Sequence, residues 1–353
     1  MRIVLFCENL YSLSILAPLD KEAQRQGGNT ILWYMHKPNI PLEEIPQEVN
    51  WTYSIQEVYD FSPEAIFVPG NIVPYYLPGV KIQIFHGYAA EKKGHYVMRK
   101  YFDLYLTQGP LYTAGFNALA AKHGNFEVKE TGWSKQDLFV EHRTTFDTFK
   151  LELLERYEKR QIVLYAPTFS PKLTSLTSIK EKLVELIHKH DDLLLVIKLH
   201  PLTAEELVEE YKALAASHSD RVIFVAQGDG LLRYELISDI MISDTSSVVY
   251  EFILLQKPVI TLNSIAQTIY WHNISMVDEL IPTFEKISNS AEHLEERYQE
   301  AQALLDPYVD GLSSRRMIEA AADYIARNGV PRYRKVNLWR RYTSIKKFGR
   351  VVG

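Results

Sequence analysis

The segment Ile240-Met-Ile-Ser-Asp244-Thr-Ser246-Ser247-Val-Val-Tyr-Glu251 holds an apolar run, a carboxylate, two adjacent serines and the start of a helical pattern at Val248, Val249, Phe252 and Leu255. A strand that runs into a helix through so short a turn would aim the helix's first amides and its positive dipole end at the carboxyl edge of a sheet. Ser246 and Ser247 add hydroxyl donors at that point, which suits a phosphate or diphosphate. Glu251, one turn on, could accept hydrogen bonds from ribose hydroxyls. A plainer reading stays open: Asp244 or Ser246 caps the helix, as such residues commonly do.

Three further apolar runs end in polar chemistry. After Lys81–Phe85 comes His86-Gly87-Tyr88, a histidine whose ordinary pKa suits a general base near neutral pH. After Gln161–Tyr165 comes Ala166-Pro-Thr168-Phe-Ser-Pro-Lys172, rich in hydroxyls and carrying one lysine. After Leu194–Ile197 comes Lys198-Leu-His200-Pro201, where the proline stops the strand and orients the histidine. Thr168, Lys172, Lys198, His200, Asp244, Ser246, Ser247 and Glu251 thus form one candidate donor site, and His86 a candidate base. The pattern shows no His/Cys or carboxylate set with metal spacing, no nucleophile elbow and no Gly-x-Gly-x-x-Gly. No metal or cofactor is therefore expected.

Strand and helix patterns alternate along almost the whole chain, the sign of parallel α/β sheets. Strands are expected at Ile3–Cys7, Thr30–Tyr34, Ala65–Val68, Lys81–Phe85, Leu104–Thr107 and Phe126–Lys129. A second series follows at Gln161–Ala166, Leu193–Leu199, Val222–Val225, Ile240–Ser243 and Pro258–Leu262. Helical periods fill Ser12–Gln26, Leu111–Lys122, Ser178–His190, Ala204–Ser217, Gly230–Ser238 and Ser246–Leu255. Phe139–Lys159 is charged and helix-forming, and marks a domain boundary. The expectation is two Rossmann-like parallel-sheet domains facing across a cleft, at 1–145 and 155–312, with a C-terminal helix and basic tail at 313–353 that packs back on the first domain or meets a membrane. Ligands in such sheets bind beyond the carboxyl ends of the strands. The nearest glycine cluster, Gly228-Asp-Gly230, is too sparse for a dinucleotide site.

A chain of 353 residues, 46% apolar and 24% charged, fits two soluble globular domains and not a disordered protein. No run approaches the length of a membrane span, and the start of the chain reads as strand rather than signal peptide. One cysteine, Cys7, excludes an internal disulfide and suits a reducing cytoplasm. The net charge of −5 is unevenly spread. Arg327–Gly353 carries nine basic residues and no acidic one; setting them aside leaves 30 basic against 44 acidic residues, a balance of −14. Tyr333, Leu338, Trp339, Tyr342, Ile345 and Phe348 interleave with those basic residues. Such a segment suits an anionic membrane surface, or a helix packed on its own protein. The acidic remainder argues against nucleic acid as a partner.

The set His86-Gly87, Tyr165-Ala-Pro-Thr168, Leu199-His200-Pro201 and Ser243-Asp244-Thr-Ser246-Ser247-(x)3-Glu251-Phe, followed by Leu255-Gln-Lys257-Pro258, resembles the CDP-glycerol glycerophosphotransferase family over roughly Lys81 to Leu262. The resemblance implies a GT-B fold and teichoic-acid-type polymer synthesis on the inner face of the cell membrane. It implies a CDP-linked or other nucleotide-diphosphate donor and a glycan or lipid-linked acceptor. It sets His86 at the family's base, His200 and the serine pair at the donor diphosphate, and Glu251 near the ribose. Phe85 stands where tryptophan is usual, Thr245 for tyrosine and Glu251 for aspartate. The Asp-Thr-Ser-Ser-(x)3-Glu segment is also similar to that of UDP-sugar 2-epimerases. Glycosyl transfer from a nucleotide sugar, epimerisation, and a nucleotide-binding scaffold without turnover therefore stand as alternatives.

Overall fold

The computed structural model describes residues 1–88, 95–226, 230–289 and 294–352. The chain divides into two compact units, Met1–His86 with Lys93–Val140 and Leu304–Gly353, and Gly87–Lys92 with Glu141–Ala303. The first division between them falls between Val140 and Glu141. The chain rejoins the first unit at Leu304.

The first unit is built on a seven-stranded sheet: β1 (Arg2–Cys7), β2 (Thr30–Met35), β3 (Trp51–Thr52), β4 (Ala65–Val68), β5 (Val80–Gln83), β6 (Leu104–Thr107) and β7 (Glu127–Glu130), in the order β3-β2-β1-β4-β5-β6-β7. Every strand pairing among its described residues is parallel. Strand β1 from Ile3 onward and strand β4 are apolar along their length because both faces are covered, so no in–out alternation is needed. Ile3 to Cys7 and Ala65 to Val68 are buried throughout. Among its helices are α1 (Tyr11–Gln26), α2 (Ile55–Phe61), α3 (Pro110–His123) and α4 (Ser134–Glu141).

The second unit carries β8 (Gln161–Tyr165), β9 (Leu193–Ile197), β10 (Val222–Phe224), β11 (Ile240–Ser243), β12 (Val259–Leu262) and β13 (His272–Ile274), ordered β10-β9-β8-β11-β12-β13 and again parallel. Its helices include α5 (Asp147–Arg156), α6 (Lys180–Lys189), α7 (Glu205–Ser217), α8 (Leu231–Ile237), α9 (Val248–Leu254), α10 (Leu280–Asn289) and α11 (Leu294–Leu305). Two final helices, α12 (Ser313–Asn328) and α13 (Leu338–Phe348), belong to the first unit.

In both sheets the strand order reverses beside the first strand, between β1 and β4 and between β8 and β11. A crevice forms at such a point because successive connections leave in opposite directions, and ligands settle there. The returning segment is pinned hard to the first unit. Asp137 accepts from the amides of Ser313 (2.9 Å) and Ser314 (2.7 Å), and Asp306 from that of Trp133 (3.0 Å).

The C-terminal tail is a folded part of this unit. Arg334 pairs with Asp103 and Lys347 with Glu8, Tyr101 donates to the carbonyl of Arg340, and Phe348 is buried. Gly228 and Asp229 of the glycine cluster lie outside the described residues.

Candidate active site

His86 follows β5 through a bent connection. The strand ends at Gln83, two residues earlier than the sequence pattern suggests, because Phe85 adopts φ 60°, in the left-handed region. A bulky residue seldom holds that conformation unless its surroundings impose it. Here the Phe85 ring is buried against His95 and Phe116, and the Trp133 indole donates to its carbonyl at 3.4 Å. The turn aims His86 outward, where it is exposed and its ring lies 5.5 Å from that of Tyr11.

Its Nδ1 sits 3.0 Å from the carbonyl oxygen of Pro69, just past β4. A carbonyl only accepts, so Nδ1 carries the hydrogen and, in the neutral ring, Nε2 carries the lone pair. Gln83 braces the same place, donating to the carbonyl of Gly70 at 2.6 Å. The sequence singles out His86 but not Pro69, whose contribution is a backbone atom.

In the second unit the two sides of the reversal point are laced together. Asp244 is 1% exposed and accepts from the amide of Thr168 (2.8 Å) and from the amide (2.8 Å) and hydroxyl (2.9 Å) of Ser175. Ser243 donates to the carbonyl of Ala166 at 2.6 Å, and the hydroxyls of Ser175 and Tyr165 lie 2.9 Å apart. These bonds hold the loop after β8 against the turn after β11. Asp244 and Thr168, expected among the donor contacts, are thus occupied in bracing that loop. Ser175, the keystone, is not among the expected site residues. Its place at the far end of a Pro- and Ser-rich loop was the available signal.

Ser247 stands at the N-cap of α9 with φ −68° and ψ −21°, and its side chain makes no capping bond. With Asp244 turned toward the loop, the capping reading loses support. Ser246 and Ser247 are both half-buried. Gly87, which falls in this second unit, lies against the pair: a Cβ there would stand 3.4 Å from Cβ of Ser247. Glu251 is buried in the first turn of α9. His200 is exposed, its ring tilted over Phe169 at 4.3 Å, and its Nδ1 accepts from the amide of Leu202 at 3.0 Å. Its other nitrogen, Nε2, therefore bears the hydrogen in the neutral ring. Lys198 is buried and its ammonium donates to the carbonyl of Ala226. Lys172 is exposed. Among the described residues no three His, Cys, Asp or Glu side chains are grouped to hold a metal ion.

Residues 98–264 match the family model described as CDP-glycerol:poly(glycerophosphate) glycerophosphotransferase. Over this segment the chain is similar to the CDP-glycerol glycerophosphotransferase family. The matched segment contains all of the candidate donor residues, whereas His86 precedes it.

The chain is similar to the teichoic acid poly(glycerol phosphate) polymerase of Bacillus spizizenii, 27% identical over 37% of this chain and 34% of the relative. It is also similar to that organism's teichoic acid glycerol-phosphate primase, at 35% identity over 35% of this chain and 30% of the relative. The chain thus spans about a third of the length of these relatives.

The fold of the wall teichoic acid polymerase TagF superposes with a TM-score of 0.68, covering 92% of this chain and 89% of that one at 16% identity. A UDP-GlcNAc 2-epimerase from Neisseria meningitidis superposes at 0.62, covering 92% and 100% at 16% identity. The two Rossmann-like units are of the GT-B kind that these proteins share.

Proposed function

We propose that this chain transfers glycerophosphate, or a similar alditol phosphate, from a CDP-linked donor to a hydroxyl of a surface-glycan or lipid-linked acceptor. The observation that carries the reading is the Pro69–His86 bond, which leaves Nε2 of an exposed histidine as the base. His86 takes the proton of the acceptor hydroxyl, whose oxygen attacks the glycerol-bearing phosphorus of the donor. The bond from that phosphorus to the bridging oxygen breaks, and CMP leaves with the electron pair. Ser246 and Ser247 hold the diphosphate, with His200 Nε2–H and Lys172 as further donors, and Glu251 lies toward the ribose. Asp244, Thr168, Ser175 and Lys198 position them. This preorganisation matters because charge develops on the leaving phosphate.

Helix α13 supports a peripheral place at an anionic membrane. Leu338, Trp339 and Tyr342 are 80%, 68% and 57% exposed beside Arg340, Arg341 and Lys346. Among the described residues no helix is long and apolar enough to cross a membrane.

Calorimetric titration with CDP, CDP-glycerol, UDP and a UDP-sugar, followed by an assay for CMP release, tests the proposal. Preference for uridine, or release of the whole nucleoside diphosphate, would move the chain to sugar chemistry.

A further inference from the structure

Glu8 follows the last residue of β1 and is 8% exposed. One carboxylate oxygen, Oε1, pairs with the ammonium of Lys347. The other, Oε2, is buried and makes no hydrogen bond. A buried carboxylate oxygen left unpaired is costly, so a protein that retains one does so where a donor arrives from outside.

Oε2 lies against Gly70. A Cβ added at Gly70 would lie 2.7 Å from it, so any residue but glycine would crowd the oxygen and shift the Glu8 carboxylate. Gly70 adjoins Pro69, the residue that fixes the His86 ring, and the two sit at the β1/β4 reversal of the sheet. A second route joins the same groups. The Glu8 carboxylate adds to burial in raising the Tyr11 phenol above its usual range, and the Tyr11 ring packs beside His86. Asn39 donates to the backbone carbonyl of Glu8 at 2.9 Å and fixes that corner.

We infer that Oε2 of Glu8 accepts a hydrogen bond from a hydroxyl of the polyol acceptor, neighbouring the hydroxyl that His86 deprotonates. Glu8 is then a specificity-determining residue that favours an uncharged diol end over a phosphate terminus, since a carboxylate oxygen repels an anion. The inference rests on the transferase reading, but its test does not depend on turnover.

Glycerol binding to the full chain is measured by NMR titration, alongside Glu8→Gln, Gly70→Ala and a separate calorimetric titration with CDP. Gly70→Ala presses a Cβ on the end of the Glu8 side chain, and its melting temperature checks that the fold is kept. Loss of the carboxylate charge in Glu8→Gln, and displacement of Oε2 in Gly70→Ala, should each weaken glycerol binding about tenfold, with CDP binding unmoved. Equal glycerol affinity in wild type and both variants, or no binding to wild type, would overturn the role of Glu8. Loss of CDP binding by the wild type would instead count against the donor reading alone.

Discussion

The carbonyl oxygen of Pro69 lies 3.0 Å from Nδ1 of His86 and so decides which ring nitrogen can take a proton. Replacing the ring removes the base but leaves the second unit untouched. His86→Ala should lower kcat by roughly 10²–10⁴-fold, the usual contribution of a positioned general base. Affinity for CDP should stay within a few fold. Both follow from CMP-release kinetics and calorimetry, and a variant with wild-type kcat would remove His86 from the mechanism.

Ser246→Ala with Ser247→Ala separates ligand contact from helix capping. Since the Ser247 side chain makes no capping bond, the melting temperature should hardly move. Affinity for CDP should fall by on the order of 1–3 kcal/mol if both hydroxyls meet phosphate oxygens. The reverse pattern, a lower melting temperature with unchanged affinity, would return these serines to a structural role.

Asp244→Ala should do the opposite of the serine pair. It strips three donors from Thr168 and Ser175 of their acceptor in a buried place. The expected cost is roughly 2–4 kcal/mol of unfolding free energy, measured in urea, together with weaker CDP binding as the loop loosens. An unchanged denaturation midpoint would mean that the loop is held by other contacts.

The sheets and their polar strand ends are legible in the sequence because buried parallel strands are apolar end to end, and loops that interrupt them stand out. Boundaries shift by a residue or two: β5 ends at Gln83, before the apolar pattern does, where Phe85 turns the backbone, and β12 begins at Val259, one residue after Pro258. Short edge strands are silent: Trp51–Thr52 is two residues long, and His272–Ile274 carries only one aliphatic side chain. The role of Asp244 is also hidden, since the same residue type caps helices, binds ligands and braces loops. Only the position of Ser175 distinguishes these. Glu8 reads in the sequence as the charge that interrupts an apolar start, and its half-satisfied carboxylate exists only once β1 and β4 are side by side.

The C-terminal helix makes two kinds of contact, and they can be tested apart. Its inner side is bound to the first unit through Lys347, Phe348 and Ser344, so deleting the tail would damage the fold. The outer residues Leu338, Trp339 and Tyr342 can be changed to serine without touching those contacts. Sedimentation with phosphatidylglycerol vesicles should then recover several-fold less protein than wild type, at an unchanged melting temperature. Equal recovery would detach this face from the membrane.

His95 makes the setting of Phe85 sensitive to acid. Its ring stacks on Phe85 at 5.3 Å and lies against Tyr96, Tyr112 and Phe116, with Nε2 buried and unbonded. Burial, with a smaller push from the nearby His86, lowers its pKa from 6.5 to about 4. The folded protein therefore protonates this ring only near pH 4, whereas the unfolded chain does so near 6.5. Between those values the unfolded state binds more protons, and stability falls as the pH falls. From pH 7 to pH 5 this one group should cost about 2 kcal/mol. His95→Phe keeps a ring in the stack and removes the titration, so its loss of stability over that interval should be smaller than the wild type's by about that amount. Urea denaturation at the two pH values measures the difference. Identical losses would show that protonation of other groups governs the acid response, and that the ring cluster behind Phe85 holds its place whatever the charge on His95.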